Sequence, residues 1–339
     1  MPLRLWRRQP WWSRVADRCN ILISSAGRRV GLIEAFRSSL DRLEVAGSIV
    51  ASDMSTLAPA RHVADSAVTV PPASSEEFVP TLLEICERER VSLVIPTIDP
   101  ELTALARAKA AFASLGTTVA ISDPETIAVS ADKNRTHEWL TGHGFPTVKQ
   151  TRLADFEAED GGQPFPIVVK PARGSASVGV RVIESPAELG WLSGEDYVVQ
   201  SRAPGSEYTT DVYVDGAGRV RATVPRERLE VRAGEVSKGR TVRHAALEEL
   251  VANIAASLPG AYGALNVQAF VSDDEINVIE INPRFGGGFP LAHRAGADMP
   301  GWLICERLGR PIHVGDWQSA LVMIRYDDAV YVTASDVEL

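Results

Sequence analysis

Residues 264–289 read ALNVQAFVSDDEINVIEINPRFGGGF. Two apolar, β-branched runs, 264–271 and 276–282, flank Ser272-Asp273-Asp274, residue types that turn a hairpin. Alternate residues of a strand share a face, so Glu280, Asn282 and, just past the strand, Arg284 point into one cavity. Ile279 and Ile281 are expected to pack behind them. Magnesium takes about six oxygen ligands near ~2.1 Å. The Glu280 carboxylate and the Asn282 carbonyl supply two, Gln268 on the paired strand offers a third, and phosphates and water complete the shell. Arg284 carries a planar, permanently charged fork that suits a transferring phosphoryl group. The alternative is a solvated Glu280–Arg284 ion pair beside a hairpin end.

Upstream, IVVKPARGSASVG (167–179) places Lys170 at the end of a buried strand beside a Gly/Ser loop. Such a loop can fold over a phosphate, present backbone N–H groups and exclude water, or it can simply be a hairpin turn. Further strands are expected at 179–184, 197–201, 208–214 and 219–224, and a helix at about 245–257 leads into the hairpin. Pro225-Arg226-Glu227-Arg228 and Ser237-Lys238-Gly239-Arg240 bring positive charge between these strands, either onto a solvated hairpin or into the cleft. In the cleft, Arg226 and Lys238 would hold a substrate carboxylate or the phosphoryl group in flight. In Phe285-Gly286-Gly287-Gly288-Phe289 the small residues allow a ligand close to the backbone.

The front of the chain has a different rhythm. NILISSAGRRVGLIEAFRSSL (20–40) is a strand, a tight turn and an amphipathic helix, and the unit recurs through strands at 48–53, 68–70, 91–97 and 117–122. Short buried strands alternating with helices near 75–90 and 99–115 predict a parallel, doubly wound sheet. DPETIAVSADKNRTHEWLTGHGF (123–145) then reads as one or two helices that end at Gly142 and Gly144. Four segments follow: a basic extension over 1–19, disordered or loosely docked, with Trp6, Trp11 and Trp12 as anchors if it is an interaction arm; an α/β domain over 20–122; an α+β region over 123–311 with subdomains meeting near 200; and C-terminal strands over 312–339.

A formal net charge of −9 argues against a nucleic-acid or anionic-membrane surface, so small molecules are the expected partners. Cys19, Cys86 and Cys305 lack zinc or redox spacing, which points to a reducing compartment, and no run of eighteen apolar residues spans a membrane. A cytoplasmic protein is expected. Gly27 with Asp53 imitates a dinucleotide fold, but the turn lacks the full G-x-G-x-x-G that pyrophosphate requires, which weakens a nicotinamide-dependent oxidoreductase.

Lys133, IVVKPARGSASVG, VVQSRAPGSEYTTDV (198–212), NVQAF (266–270) and VIEINPRFGGG (278–288) resemble, in order, the motifs of the ATP-grasp superfamily, in its carbamoyl-phosphate-synthetase-like carboxylate–amine ligase branch. The resemblance runs from about 20 to 311. It implies a Rossmann-like pre-ATP-grasp domain followed by ATP-grasp domains. It also implies that Lys133 and Lys170 contact nucleotide phosphates and that 174–179, with Gly174, Ser175, Ser177 and Gly179, is a mobile lid. Gln200, Ser201 and Arg202 would read the adenine edge, with Glu207 near the ribose. Gln268, Glu280 and Asn282 would hold one or two Mg2+ ions, or Mn2+, and Arg284 the γ-phosphate. Many relatives have Glu at the position of Gln200 and an acid at that of Gln268, which leaves one carboxylate for two ions. The implied activity is ATP-dependent ligation of a carboxylate to an amine through an acyl phosphate, by a monomer or a homodimer. The alternative is an ATP-binding regulator without turnover.

Overall fold

The computed structural model describes residues 17–156, 164–174, 178–190, 196–232 and 234–338. The front unit runs β1 (Asn20–Ile23), α1 (Val30–Arg42), β2 (Ile49–Asp53), α2 (Pro59–Val63), β3 (Ser66–Thr69), α3 (Phe78–Arg88), β4 (Val91–Ile95), α4 (Asp99–Ser114) and β5 (Thr118–Val119). Its strands pair in parallel in the order β3-β2-β1-β4-β5, the doubly wound sheet that the alternating pattern predicts. Strand order reverses between β1 and β4, so the turns leaving these two strands open a crevice at their carboxyl ends. Four contacts hold it. The buried Glu101 carboxylate accepts from Ser24 Oγ at 2.5 Å and Ser25 Oγ at 2.8 Å, and from the backbone N–H groups of Thr97 and Ile98 at 2.6 and 3.1 Å. Asp53 is also committed to the frame, since it accepts from Gly27 N at 2.8 Å and Ser55 N at 2.9 Å.

Next come α5 (Pro124–Ser130), α6 (Lys133–Gly142), β6 (Gln150–Arg152), β7 (Ile167–Pro171), β8 (Arg181–Ile183) and β9 (Tyr197–Ser201). These strands form an antiparallel sheet in the order β6-β9-β7-β8. The rest comprises β10 (Ser206–Val214), β11 (Val220–Arg232), β12 (Glu235–Thr241), α7 (Ala245–Ser257), β13 (Gly263–Val271), β14 (Ile276–Asn282), α8 (Phe289–Arg294), α9 (Met299–Arg307) and β15 (Val322–Ile324). They build a sheet ordered β14-β13-β10-β11-β12-β15. The hairpin over 264–282 forms as its sequence predicts, with Gln268 opposite Glu280 and Asn266 opposite Asn282.

Several elements lie outside the sequence expectations. The segment expected as a strand over 219–224 continues to Arg232 and returns as β12, because beyond its pairing with β10, which ends at Glu227, the strand goes on pairing with β12 through Arg232. α8 and α9 follow the glycine run; Phe285, Phe289, Trp302, Leu303 and Ile304 are buried in the same core as Ile21, Ile33, Phe36 and Ile49 of the front unit. The α/β unit therefore closes one face with helices from the far end of the chain. Of the strands expected over 312–339, the described residues form only Val322–Ile324. Residues 1–16, and with them nearly all of the basic extension, lie outside the described part.

Candidate functional site

Two cavities meet at the hairpin. The outer one, about 840 Å3, lies between the two antiparallel sheets, with Val148, Val168, Val182, Phe270 and Ile279 along its apolar wall and Lys133, Lys170 and Glu280 at its polar end. The inner one, about 280 Å3, is lined by Arg29, Thr97 and Asp99 from the crevice of the parallel sheet, by Arg226, Arg228 and Glu235, and by the 286–288 run. Gln268 and Glu280 line both cavities, while Asn282 and Arg284 line the inner one. Glu280, Asn282 and Arg284 thus share a cavity, as the period-two reading predicts. Ile281 packs into the core behind them, whereas Ile279 faces the outer cavity.

Local structure explains where the cations sit. Asp132 caps α6 by accepting from Asn134 N at 2.9 Å, which puts Lys133 in the first turn, and the Lys133 N–H donates to Ala172 O at 2.9 Å, fastening that turn to the end of β7. Lys133 Nζ donates to Gly174 O at 2.9 Å. Lys170 is only 7% exposed. Burial pushes its ammonium down from 10.5 to about 8, with Glu280 opposing and Lys133 adding to the fall. Burial also lowers Lys133, again opposed by Glu280. A buried and a half-buried ammonium share Glu280 as their strongest carboxylate partner, an arrangement that suits an anion in the outer cavity.

The expected nucleotide residues fall as follows. Gln200, Ser201, Arg202 and Glu207 line the outer cavity, and the Gln200 amide donates to Gln150 Oε1 at 2.7 Å. Gly174 lines it at φ +115° and Gly179 closes the turn at φ +74°, both backbone states that favour glycine. Ser175 and Ser177 lie outside the described residues. Glu207 pairs with Arg228 at 2.9 Å, and burial raises its carboxyl while Arg228 lowers it.

Two candidate cations differ from expectation. Lys238 lines neither cavity; it pairs with Glu230 at 2.5 Å on the half-exposed β11–β12 hairpin, because its β12 face turns outward. Arg226 does line the inner cavity, but it is 2% exposed and forms a two-point pair with Asp211 at 2.5 and 3.0 Å, so its charge is already neutralised. Burial raises the Asp211 carboxyl and Arg226 pulls it back.

Arg284 grips Asp99 of the front unit through two bonds, at 3.1 and 3.0 Å, and also donates to Asn282 Oδ1 at 3.2 Å. Sequence reading overlooked Asp99, Arg29 and Glu235. Arg29 leaves the β1–α1 turn, donates to Thr97 O at 3.3 Å, and has its nearest carboxylate, Glu235, at 3.9 Å. Burial and Arg284 lower its guanidinium, while Glu235 and Asp99 raise it. Glu235 is also held by Arg325 at 3.0 Å. The glycine run permits this packing: a Cβ on Gly287 would stand 2.8 Å from Glu235 Oε1 and 2.9 Å from Arg29 Nη1. Of these residues, only Arg28-Arg29 after a strand left a signal, since a paired basic turn at a sheet switch point suits an anion.

The donor set fits one hard divalent ion. Among the described residues no hydrogen bond or ion pair closes on the Glu280 carboxylate; Gln268 stands opposite it across the hairpin and Asn282 two residues on along the same strand, and all three line the inner cavity. No group of three or more His, Cys, Asp or Glu residues that could hold a metal occurs among the described residues. A bound ion therefore needs oxygens from a ligand as well.

Residues 21–120 match the PylC-like N-terminal domain family and residues 130–288 the ATP-grasp domain family. The chain is similar to D-alanine–D-alanine ligases of Gluconobacter oxydans (36% identical over 108 residues, 30% of this chain and 35% of the relative) and Corynebacterium aurimucosum (28% over 195 residues, 49% and 54%). It thus spans about a third to a half of these relatives. Solved structures of similar fold are N5-carboxyaminoimidazole ribonucleotide synthetase from Thermotoga maritima (18% identical, TM-score 0.64, 90% of this chain and 79% of that one) and biotin carboxylase from Campylobacter jejuni (17%, 0.68, 87% and 72%). An L-amino acid ligase from Bacillus licheniformis is another (17%, 0.64, 86% and 75%). With a PylC-like domain over residues 21–120 in front, and carrying the lysine, hairpin and glycine-run geometry described above, residues 130–288 belong to the ATP-grasp domain family.

Proposed function

We propose that this protein is an ATP-dependent carboxylate–amine ligase, which activates a carboxylate as an acyl phosphate and passes the acyl group to an amine, with release of ADP and phosphate. One observation carries the reading. An outer cavity with an apolar wall and two lysines, Lys170 buried and Lys133 half-buried, meets, at Glu280 and Gln268, an inner cavity rich in arginine. The outer cavity suits a nucleotide, with its base on the apolar wall and its phosphates at Lys133 and Lys170. The inner cavity suits a small acid, and the junction is where a γ-phosphoryl group and a carboxylate would meet.

Glu280 and Asn282, with Gln268, would hold Mg2+, which when bound neutralises phosphate charge and orients the phosphoryl group. Lys170 supplies a fixed positive charge in a water-poor setting, where it acts more strongly than in solvent. Arg284 is held by Asp99 and Asn282 on the inner-cavity side, so it would reach the γ-phosphoryl group only by exchanging part of its pairing with Asp99. Arg29 offers a half-buried, loosely paired guanidinium that would dock a carboxylate of the acid or of the amine. The segment from Gly174 to Gly179 would cover the phosphates and keep water from the acyl phosphate.

Hydroxylamine tests the reading. With the correct acid, Mg2+ and ATP but no amine, it should capture the acyl phosphate as a hydroxamate in step with ADP. Lys170→Met should lower both together by at least about 100-fold, because it acts before the intermediate forms. ADP release without hydroxamate, across every acid that stimulates turnover, would replace the ligase reading with an ATPase or kinase one.

A further inference from the structure

At the junction of the two cavities, one residue occupies space that a metal would otherwise claim. Arg228, on β11, reaches across β10: its Nη1 forms an ion pair with Glu207 Oε1 at 2.9 Å and donates to Gln268 Oε1 at 3.3 Å, and its Nη2 donates to Gly234 O at 3.1 Å. Its side chain is 7% exposed, and its Nε is buried with no hydrogen-bond partner among the described residues. Gln268 is one of the oxygens that could ligate a metal, and its side-chain oxygen already accepts from this guanidinium. Glu207 is paired with the same arginine, and Asp99 and Glu235, which line the inner cavity, are paired with Arg284 and Arg325. That leaves Glu280 as the carboxylate not engaged by a cation at hydrogen-bonding distance among the described residues.

A divalent ion needs anionic oxygens to offset its dehydration. Two ions at this junction would share one carboxylate and two amide oxygens, and one of them would lie against the Arg228 guanidinium. A single ion on the Glu280 side meets no such repulsion. On the Gln268 side the guanidinium is itself a fixed cation with donors for phosphate oxygens, held in place by Glu207.

We propose that the junction takes one divalent cation, with Glu280 as its only carboxylate ligand, and that Arg228 supplies the second positive charge to the phosphates in place of a second ion. This rests on the ligase reading only in bringing a nucleotide and a divalent ion to the junction. Arg228 is a binding residue in this arrangement, and Glu207 positions it.

The test counts Mn2+ by equilibrium dialysis against the whole chain saturated with the non-hydrolysable imido analogue of ATP. The wild type should retain one Mn2+ per chain beyond that carried by free analogue. Gln268→Glu alone should still retain one, because Arg228 takes up the new carboxylate as an ion pair. The double variant Arg228→Gln/Gln268→Glu, freed of the guanidinium and given a second acid, should retain two. Arg228→Lys/Gln268→Glu, which keeps a cation beside the new carboxylate, should stay at one, and if Arg228→Gln/Gln268→Glu fails a melting-curve check, Arg228→Met/Gln268→Glu takes its place with the same expected count of two. Two ions in the wild type or in Gln268→Glu alone would overturn the proposal, as would a folded Arg228→Gln/Gln268→Glu or Arg228→Met/Gln268→Glu variant that stays at one. Failure to bind the analogue at all would instead remove the ligase reading beneath it.

Discussion

At the scale of single residues, buried charge decides what the site can do. Lys170 keeps its proton below about pH 8 in the free protein, against 10.5 for an exposed lysine, because burial disfavours the ammonium. A fall of this size is on the order of 3 kcal/mol, a cost the fold bears while the lysine is charged, below about pH 8. That cost fades as pH rises from about 8 toward 10.5, so this lysine makes the free protein more stable with rising pH over that window. A phosphate beside Lys170 reverses the preference and restores the ammonium. ATP affinity should therefore be flat below about pH 8 and fall by up to about tenfold per pH unit above it, with proton uptake on binding. Calorimetry of ATP binding at pH 9 in buffers of different ionisation enthalpy checks this. Binding without proton uptake would mean that no phosphate reaches Lys170. The lysine itself was readable from the sequence because it closes an apolar strand beside a Gly/Ser loop. Its depressed proton affinity was not, since that depends on what the two sheets exclude around it.

At the scale of elements, the glycine run after β14 binds the two halves of the inner cavity. Arg29 comes from the first turn of the chain and Glu235 from the start of β12, and both approach Gly287 closer than a side chain would allow. Gly287→Ala should push both away and raise the KM of the acid or amine by about tenfold, equivalent to about 1.4 kcal/mol, with imido-analogue binding unchanged. An unchanged KM would show that Arg29 and Glu235 give way without consequence. The hairpin before this run was legible because its alternation is local: a period of two fixes which residues share a face. Lys238 was placed in the cleft on its charge alone, with a solvated hairpin as the alternative, and it lies on the hairpin. Position on a strand tells which residues point the same way, and the neighbouring strands decide whether that way is inward. Between β11 and β15, the face that carries Lys238 looks outward.

At the scale of the whole molecule, the front unit and the ATP-grasp region share one core. Trp302 of α9 is 4% exposed, lies 5.3 Å from the Tyr213 ring and packs with Ile21, Phe36 and Phe285. Removing its side chain should destabilise the protein by about 3–5 kcal/mol, and the front unit and the ATP-grasp region should melt together in a single transition. Differential scanning calorimetry of Trp302→Ala, with separate transitions as the contrary result, decides whether the core is shared. By itself the sequence determined the parallel sheet, the hairpin and the order of the ATP-grasp motifs, because each depends on residues within a few positions of one another. Only the tertiary structure decided that Asp99 and Arg29 join Arg284, that Arg226 is silenced by Asp211, and that α8 and α9 cap the first sheet. Those pairings join residues from about 15 to nearly 260 positions apart, and no local periodicity records which distant charge will meet which; burial and exclusion of water settle that only when the sheets come together.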